Sequence, residues 1–152
     1  ISGETTAGGL ARLEALLKEH QPVLIVVELG ANDALRGLPI AAPRENLGRI
    51  LELVHDAEAR ALLIGTEIPI NYGPQYRDGL RSMYRDLSEE FNVPLVPFLL
   101  EGVALDPALM QDDGLHPVAA AQPKLLENVW PALEKELSGL PATTTPDQES
   151  SK

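Results

Sequence analysis

The stretch "PVLIVVELGAND", residues 22–33, sets the architecture. Residues 22–29 are almost wholly apolar and do not alternate with polar ones, so the strand they predict is covered on both faces, as strands of parallel sheets are. A glycine, an asparagine and an aspartate then come within four residues. A tight turn uses those residue types. So does an active site, because open α/β sheets bind ligands beyond the carboxyl ends of their strands.

Further along the chain, "ALLIG" (61–65) and "VPLVPF" (93–98) read as two more buried strands. Between the strands the spacing is helical. Leu10, Leu13, Leu16 and Leu17 predict a helix from Thr5 to His20, with Thr5 or Thr6 as its cap. Pro43 opens a second helix, whose stripe is Leu47, Ile50, Leu51 and Val54. A third runs from about Gln75 to Phe91 with Leu80, Met83, Tyr84 and Leu87 inward. After a long connection (99–117), a last helix spans about Val118 to Leu137, with Pro123 near its first turn and Pro131 kinking it. Helices alternating with strands predict a three-layer α/β/α fold around a parallel sheet. Residues 1–138 form one domain, and 139–152, nearly devoid of apolar side chains, are expected to be disordered.

Composition narrows the function. A net charge of −11 repels polyanions, which argues against nucleic-acid binding. Cysteine is absent, which excludes disulfides and thiol catalysis while leaving the compartment open. No apolar run approaches the ~20 residues of a membrane helix, and no signal peptide is apparent. The chain opens on "ISGETTAGG" without a methionine, as a processed chain or a piece of a longer one does.

Three polar clusters fall at strand ends: Asn32 with Asp33 after the first strand, the 66–74 loop after the second, and Asp113 with His116 downstream of the third. In "DGLHP", Asp113 and His116 stand three apart. A carboxylate beside an imidazole fixes the ring's tautomer and stabilises the imidazolium, and histidine suits proton transfer near neutrality. Asp-Gly and His-Pro equally describe a turn before a helix, so the pair alone decides nothing. Asn32 can aim an amide at a developing oxyanion, or simply form a loop. Gly3 can offer a backbone N–H at close approach, or be a loop glycine. His20 and His55 sit at helix C-termini, where a cation is favourable, and the histidines lack metal-ligand spacing.

In this order, "ISGET", "ELGANDALRG" and "QDDGLHP" resemble blocks II, III and V of the SGNH, or GDSL-type, hydrolases. The similarity extends through "GLARLEALLKEHQP", "PINYGPQY" and "FNVPLVPFLLE" to residue 138. It is strongest toward the superfamily's bacterial multifunctional thioesterases, lysophospholipases and arylesterases. The resemblance implies a flavodoxin-like, five-stranded parallel sheet. It implies Asp113 and His116 as acid and base of a triad, and Gly3 and Asn32 as two of three oxyanion donors. Residues 34–39 correspond to a mobile loop beside an acyl groove that Leu35, Ile68 and Tyr72 line. The implied substrate is a small acyl ester or thioester, with no metal or organic cofactor, in a periplasmic or secreted enzyme.

One block is missing. The family's serine lies in a G-D-S-L motif after its first strand, and this sequence has none. Ser2, Ser82, Ser88, Ser138, Ser150 and Ser151 all stand in other contexts. The fold is therefore expected to be incomplete at its N-terminus, with an exposed sheet edge prone to self-association and little or no activity in the isolated chain. A non-catalytic acyl-binding or interaction module is the alternative; a flavodoxin-like nucleotide binder would need a Gly-rich phosphate loop, which is absent.

Overall fold

The computed structural model describes residues 1–140. Helix α1 (Thr6–His20) leads into strand β1 (Leu24–Glu28), a short helix α2 (Ala31–Leu35) and helix α3 (Ala41–Asp56). Strand β2 (Arg60–Ile64), helix α4 (Pro74–Phe91), strand β3 (Leu95–Val96) and helix α5 (Gln122–Ser138) complete the order. The three strands form a parallel sheet in chain order, β1-β2-β3. Leu24 pairs with Arg60 and Glu28 with Ile64, while Leu63 pairs with Leu95.

Helices cover both faces. On one, Leu47, Ile50, Leu51 and Val54 of α3 and Leu80, Met83, Tyr84 and Leu87 of α4 pack with Leu13 of α1 against Val27, Ala61 and Leu63. On the other, Val129, Ala132 and Leu133 of α5 pack on Leu62, Ile64 and Val96. Helix α5 lies over β2 and β3. Val26, register partner of Leu62, therefore stays 44% exposed. Strand β1 has β2 as its one neighbour among the described residues. The sheet is three-layered and parallel, as the sequence predicts, with three strands of the five that the resemblance implies.

Several boundaries move for local reasons. The strand expected over 22–29 is regular over Leu24–Glu28. The one expected over 93–98 shrinks to Leu95–Val96, between Pro94 and Pro97, which lack ladder donors. Helix α3 begins at Ala41, so Pro43 sits inside its first turn, where an absent N–H costs nothing. Thr5 is the cap of α1, its hydroxyl accepting from the Gly8 N–H at 3.2 Å. Helix α5 runs continuously through Pro131, which is exposed, so water can serve the carbonyl it leaves unpaired. The expected disordered tail lies outside the described residues except at 139 and 140.

Candidate active site

Gly30 turns the chain out of β1 at φ +116°, a conformation that L side chains rarely adopt. The chain then enters α2, a single helical turn where the sequence predicts a loop. The correction has a physical cause: Gly30 supplies the left-handed residue before the helix, and both Asp33 and Ala34 are buried beneath it. The buried Tyr84 hydroxyl donates to the Leu29 carbonyl at 2.8 Å and fixes the start of this turn. Burial, with the charges of Asp33 and Glu28 adding, pushes the Tyr84 phenol well up.

Helix α2 is sewn to the N-terminal segment. The Asn32 side-chain amide donates to the Glu4 carbonyl at 2.9 Å. Asp33, 1% exposed, accepts from the Thr6 N–H at 2.9 Å and from the Thr6 hydroxyl at 2.5 Å. Arg36 Nη2 donates to the Gly3 carbonyl at 3.1 Å. Gly3 itself is exposed at φ +69°. These bonds bring Gly3 and Asn32 into one cluster from positions far apart in sequence.

On its far side α2 meets the loop after β2. The Tyr72 hydroxyl donates to the Leu35 carbonyl at 2.8 Å, and that of Tyr76 to the Leu38 carbonyl at 2.5 Å. The two tyrosine rings lie 6.5 Å apart. Partial burial, then the Asp33 and Tyr72 charges, raise the Tyr76 phenol. Residues 34–39 are thus clamped at two carbonyls. Ile68 is buried in the main core, whereas Leu35 and Tyr72 are half-buried. Glu67 ties the loop to α4 through Arg77 at 3.3 Å and Arg81 at 2.8 Å.

Asp113 and His116 lie on the connection after β3, on a small antiparallel bridge between Met110 and Pro117. The Gln111 N–H donates to the His116 carbonyl at 2.8 Å. Asp113 Oδ1 accepts from the backbone N–H groups of Leu115 (2.8 Å) and His116 (3.0 Å), and its Oδ2 lies 2.7 Å from His116 Nδ1. The His116 ring bond, followed by those backbone N–H groups, lowers the Asp113 pKa to about 2. An ionised carboxylate only accepts, so Nδ1 donates to it, and in the neutral ring Nε2 then carries the lone pair. Side-chain exposures of 70% for His116 and 45% for Asp113 leave the pair open to solvent.

Two sub-sites result, one on α2 and the N-terminal segment, the other on the Asp113–His116 bridge. Each comes after a strand's carboxyl end; no hydrogen bond among the described residues joins them. His20 and His55 are exposed in the last turns of α1 and α3. Among the described residues no group of three or more His, Asp or Glu could hold a metal, and no helix is long and apolar enough to cross a membrane. The sequence reading missed Thr6 and Arg36 as parts of the α2 cluster, and Asn46, whose amide donates to the Thr6 hydroxyl. It quoted Asp33 without giving it a role, although an aspartate directly after the asparagine was the available signal.

The model of the GDSL-like Lipase/Acylhydrolase family matches residues 1–122. Esterase TesA of Pseudomonas aeruginosa is 49% identical over 134 residues, which cover 88% of this chain and 67% of that protein. Thioesterase 1/protease 1/lysophospholipase L1 of Escherichia coli is 50% identical over 123 residues, covering 81% of this chain and 59% of its own length. The chain therefore spans about three-fifths to two-thirds of these curated relatives. A crystal structure of TesA superposes with a TM-score of 0.87 at 48% identity, covering 90% of this chain and 76% of that one.

Proposed function

The chain belongs to the GDSL-like lipase/acylhydrolase family, and from that membership we propose that it carries the acid, the base and two oxyanion donors of a serine-type hydrolase. Its substrates are carboxylic esters and acyl thioesters. The names of the relatives, esterase and thioesterase/lysophospholipase, support that class, as does the 2.7 Å contact between Asp113 and His116, the observation that carries the reading.

Asp113 holds the ring by Nδ1 and stabilises the imidazolium; His116 Nε2 takes the proton of the attacking hydroxyl and returns it to the leaving group. The oxyanion is held by the Gly3 N–H and by Asn32. A primary amide has two hydrogens: one Asn32 N–H is committed to Glu4, which orients the other toward the reacting carbonyl. Leu35 and Tyr72, with Ile68 behind them, wall the acyl chain.

The nucleophile is the part these residues do not contain. Ser88 donates to the Val93 carbonyl, Ser138 to the Lys135 carbonyl, and Ser82 accepts from Arg85. Ser2 is exposed beside Gly3. None of these serines has a hydrogen bond to His116 among the described residues. The 152 residues alone are therefore expected to form no acyl-enzyme. In the complete enzyme a G-D-S-L segment supplies the serine and its own N–H as third donor, in a periplasmic or secreted setting.

The test uses a fluorophosphonate and an activated ester. The bare chain shows neither labelling nor a burst; adding an upstream segment with a G-D-S-L block gives both, and His116→Ala removes both. Labelling of a serine in the bare chain would place the nucleophile elsewhere. Binding of a fluorescent fatty acid without turnover, even after the segment is restored, would favour the acyl-binding module instead.

A further inference from the structure

Asp33 is buried, bonded through both oxygens, and unused by the chemistry above. Its partners are the N–H and hydroxyl of Thr6, the first residue of α1. That N–H is one of the donors a helix start leaves unpaired, and it carries part of the positive end of the helix dipole. Asn46 of α3 adds a further bond, its amide donating to the Thr6 hydroxyl at 3.0 Å. The directions are forced. A carboxylate accepts only, so the single Thr6 hydroxyl proton goes to Asp33, and the hydroxyl oxygen accepts from Asn46.

This relay is tied to both oxyanion donors through short stretches of chain. Asn32 precedes Asp33 on α2, and Gly3 is three residues before Thr6. The Asn32–Glu4 and Arg36–Gly3 bonds bracket the same strip of chain. Each of these two is single and outside the buried interior, whereas the Asp33–Thr6 pair is double and buried. A buried, charge-assisted pair is the stronger and better-ordered tether.

We infer that Asp33 is the positioning residue of the oxyanion site: by gripping Thr6 through both carboxylate oxygens it sets the Gly3 N–H and the Asn32 amide at a fixed separation. It acts through Thr6 and touches no substrate. The inference rests on the proposed roles of Gly3 and Asn32. Asparagine at 33 has the same shape but presents NH₂ where one of the two acceptors stood. Facing the Thr6 N–H it sets donor against donor; facing the hydroxyl it takes away the acceptor of the hydroxyl proton.

The experiment is amide NMR and hydrogen exchange on the 152-residue chain, with Asp33→Asn, Thr6→Val and Thr6→Ser. In Asp33→Asn, exchange at the Thr6 N–H speeds up about tenfold or more. The Gly3 amide and Asn32 side-chain signals shift, while core amides at Leu63 and Leu80 keep their positions. Thr6→Val, which lacks the hydroxyl, reproduces the Gly3 and Asn32 shifts; Thr6→Ser, which keeps it, does not. Unmoved Gly3 and Asn32 signals in a folded Asp33→Asn chain overturn the inference. If that variant does not fold, identical Gly3 and Asn32 signals in Thr6→Val and Thr6→Ser overturn it. Sodium octanoate, whose carboxylate imitates the product, separates this idea from the one beneath it. It shifts Gly3 and Asn32 in the unaltered chain, and Asp33→Asn weakens that binding about tenfold. If octanoate moves neither signal in the unaltered chain, the oxyanion roles fail, while exchange still decides whether Asp33 fixes the two groups.

Discussion

The Tyr84 hydroxyl reaches up from α4 to the Leu29 carbonyl and fills the space that a side chain on Gly30 would need. Glycine is thus required there twice, by the positive φ and by the neighbour. Gly30→Ala should cost about 3 kcal/mol through strain and displacement of a buried tyrosine. Urea melts monitored by far-UV circular dichroism measure it; a loss below about 1 kcal/mol would mean that α2 shifts freely.

Asp113 gives a pH signature. Its folded pKa is depressed, so the favourable bond to His116 is present above the ordinary carboxylate range and lost as the pH falls through about 2. The Asp113 carboxyl carbon should titrate near that value, and His116→Ala should move its midpoint upward. A midpoint near 4 in the unaltered chain, about the value of a free aspartate, would show that the pair does not form in solution.

Tyr72→Phe removes one of the two hydroxyls clamping residues 34–39. The Leu35 carbonyl is half-buried and loses its partner, at a cost of about 1 kcal/mol. Hydrogen exchange over residues 35–38 should quicken while that of β2 is unchanged. Equal protection in both proteins would leave Tyr76 as the sole clamp.

Val26 is exposed on β1, whose outer side has no neighbouring strand among the described residues. The isolated chain is expected to self-associate and to bind a hydrophobic dye. Val26→Lys should reduce both, as read by sedimentation at several concentrations. A monomeric unaltered chain with a sharp melt and no dye binding would count against this edge as an association surface.

The periodicity of Leu47, Ile50, Leu51 and Val54, and the unbroken run at 22–29, carried the architecture because a hydrophobic face fixes where an element packs. Asp113 and His116 were legible as a pair because three residues within one turn leave few ways to face apart. Helix α2 was not legible: Gly-Ala-Asn-Asp is turn chemistry, and burial of Asp33 against a distant Thr6 is what makes it helical. The roles of Thr6 and Asn46 were equally hidden, since the bonds joining them cross between α1, α2 and α3. Local spacing carries no trace of such a meeting.

Strand order that matches chain order has a kinetic consequence. Among the described residues each strand joins the flank of the one made just before it, so none of the three waits for a distant partner to be synthesised before pairing. As the chain emerges from a ribosome, α1, β1, α3 and β2 can assemble while residues beyond 64 are still being added. Loop-closure entropy is then met in short instalments, one connection at a time. The bridge bearing His116 and then helix α5 come after all three strands in the chain, so they are added to a sheet already begun.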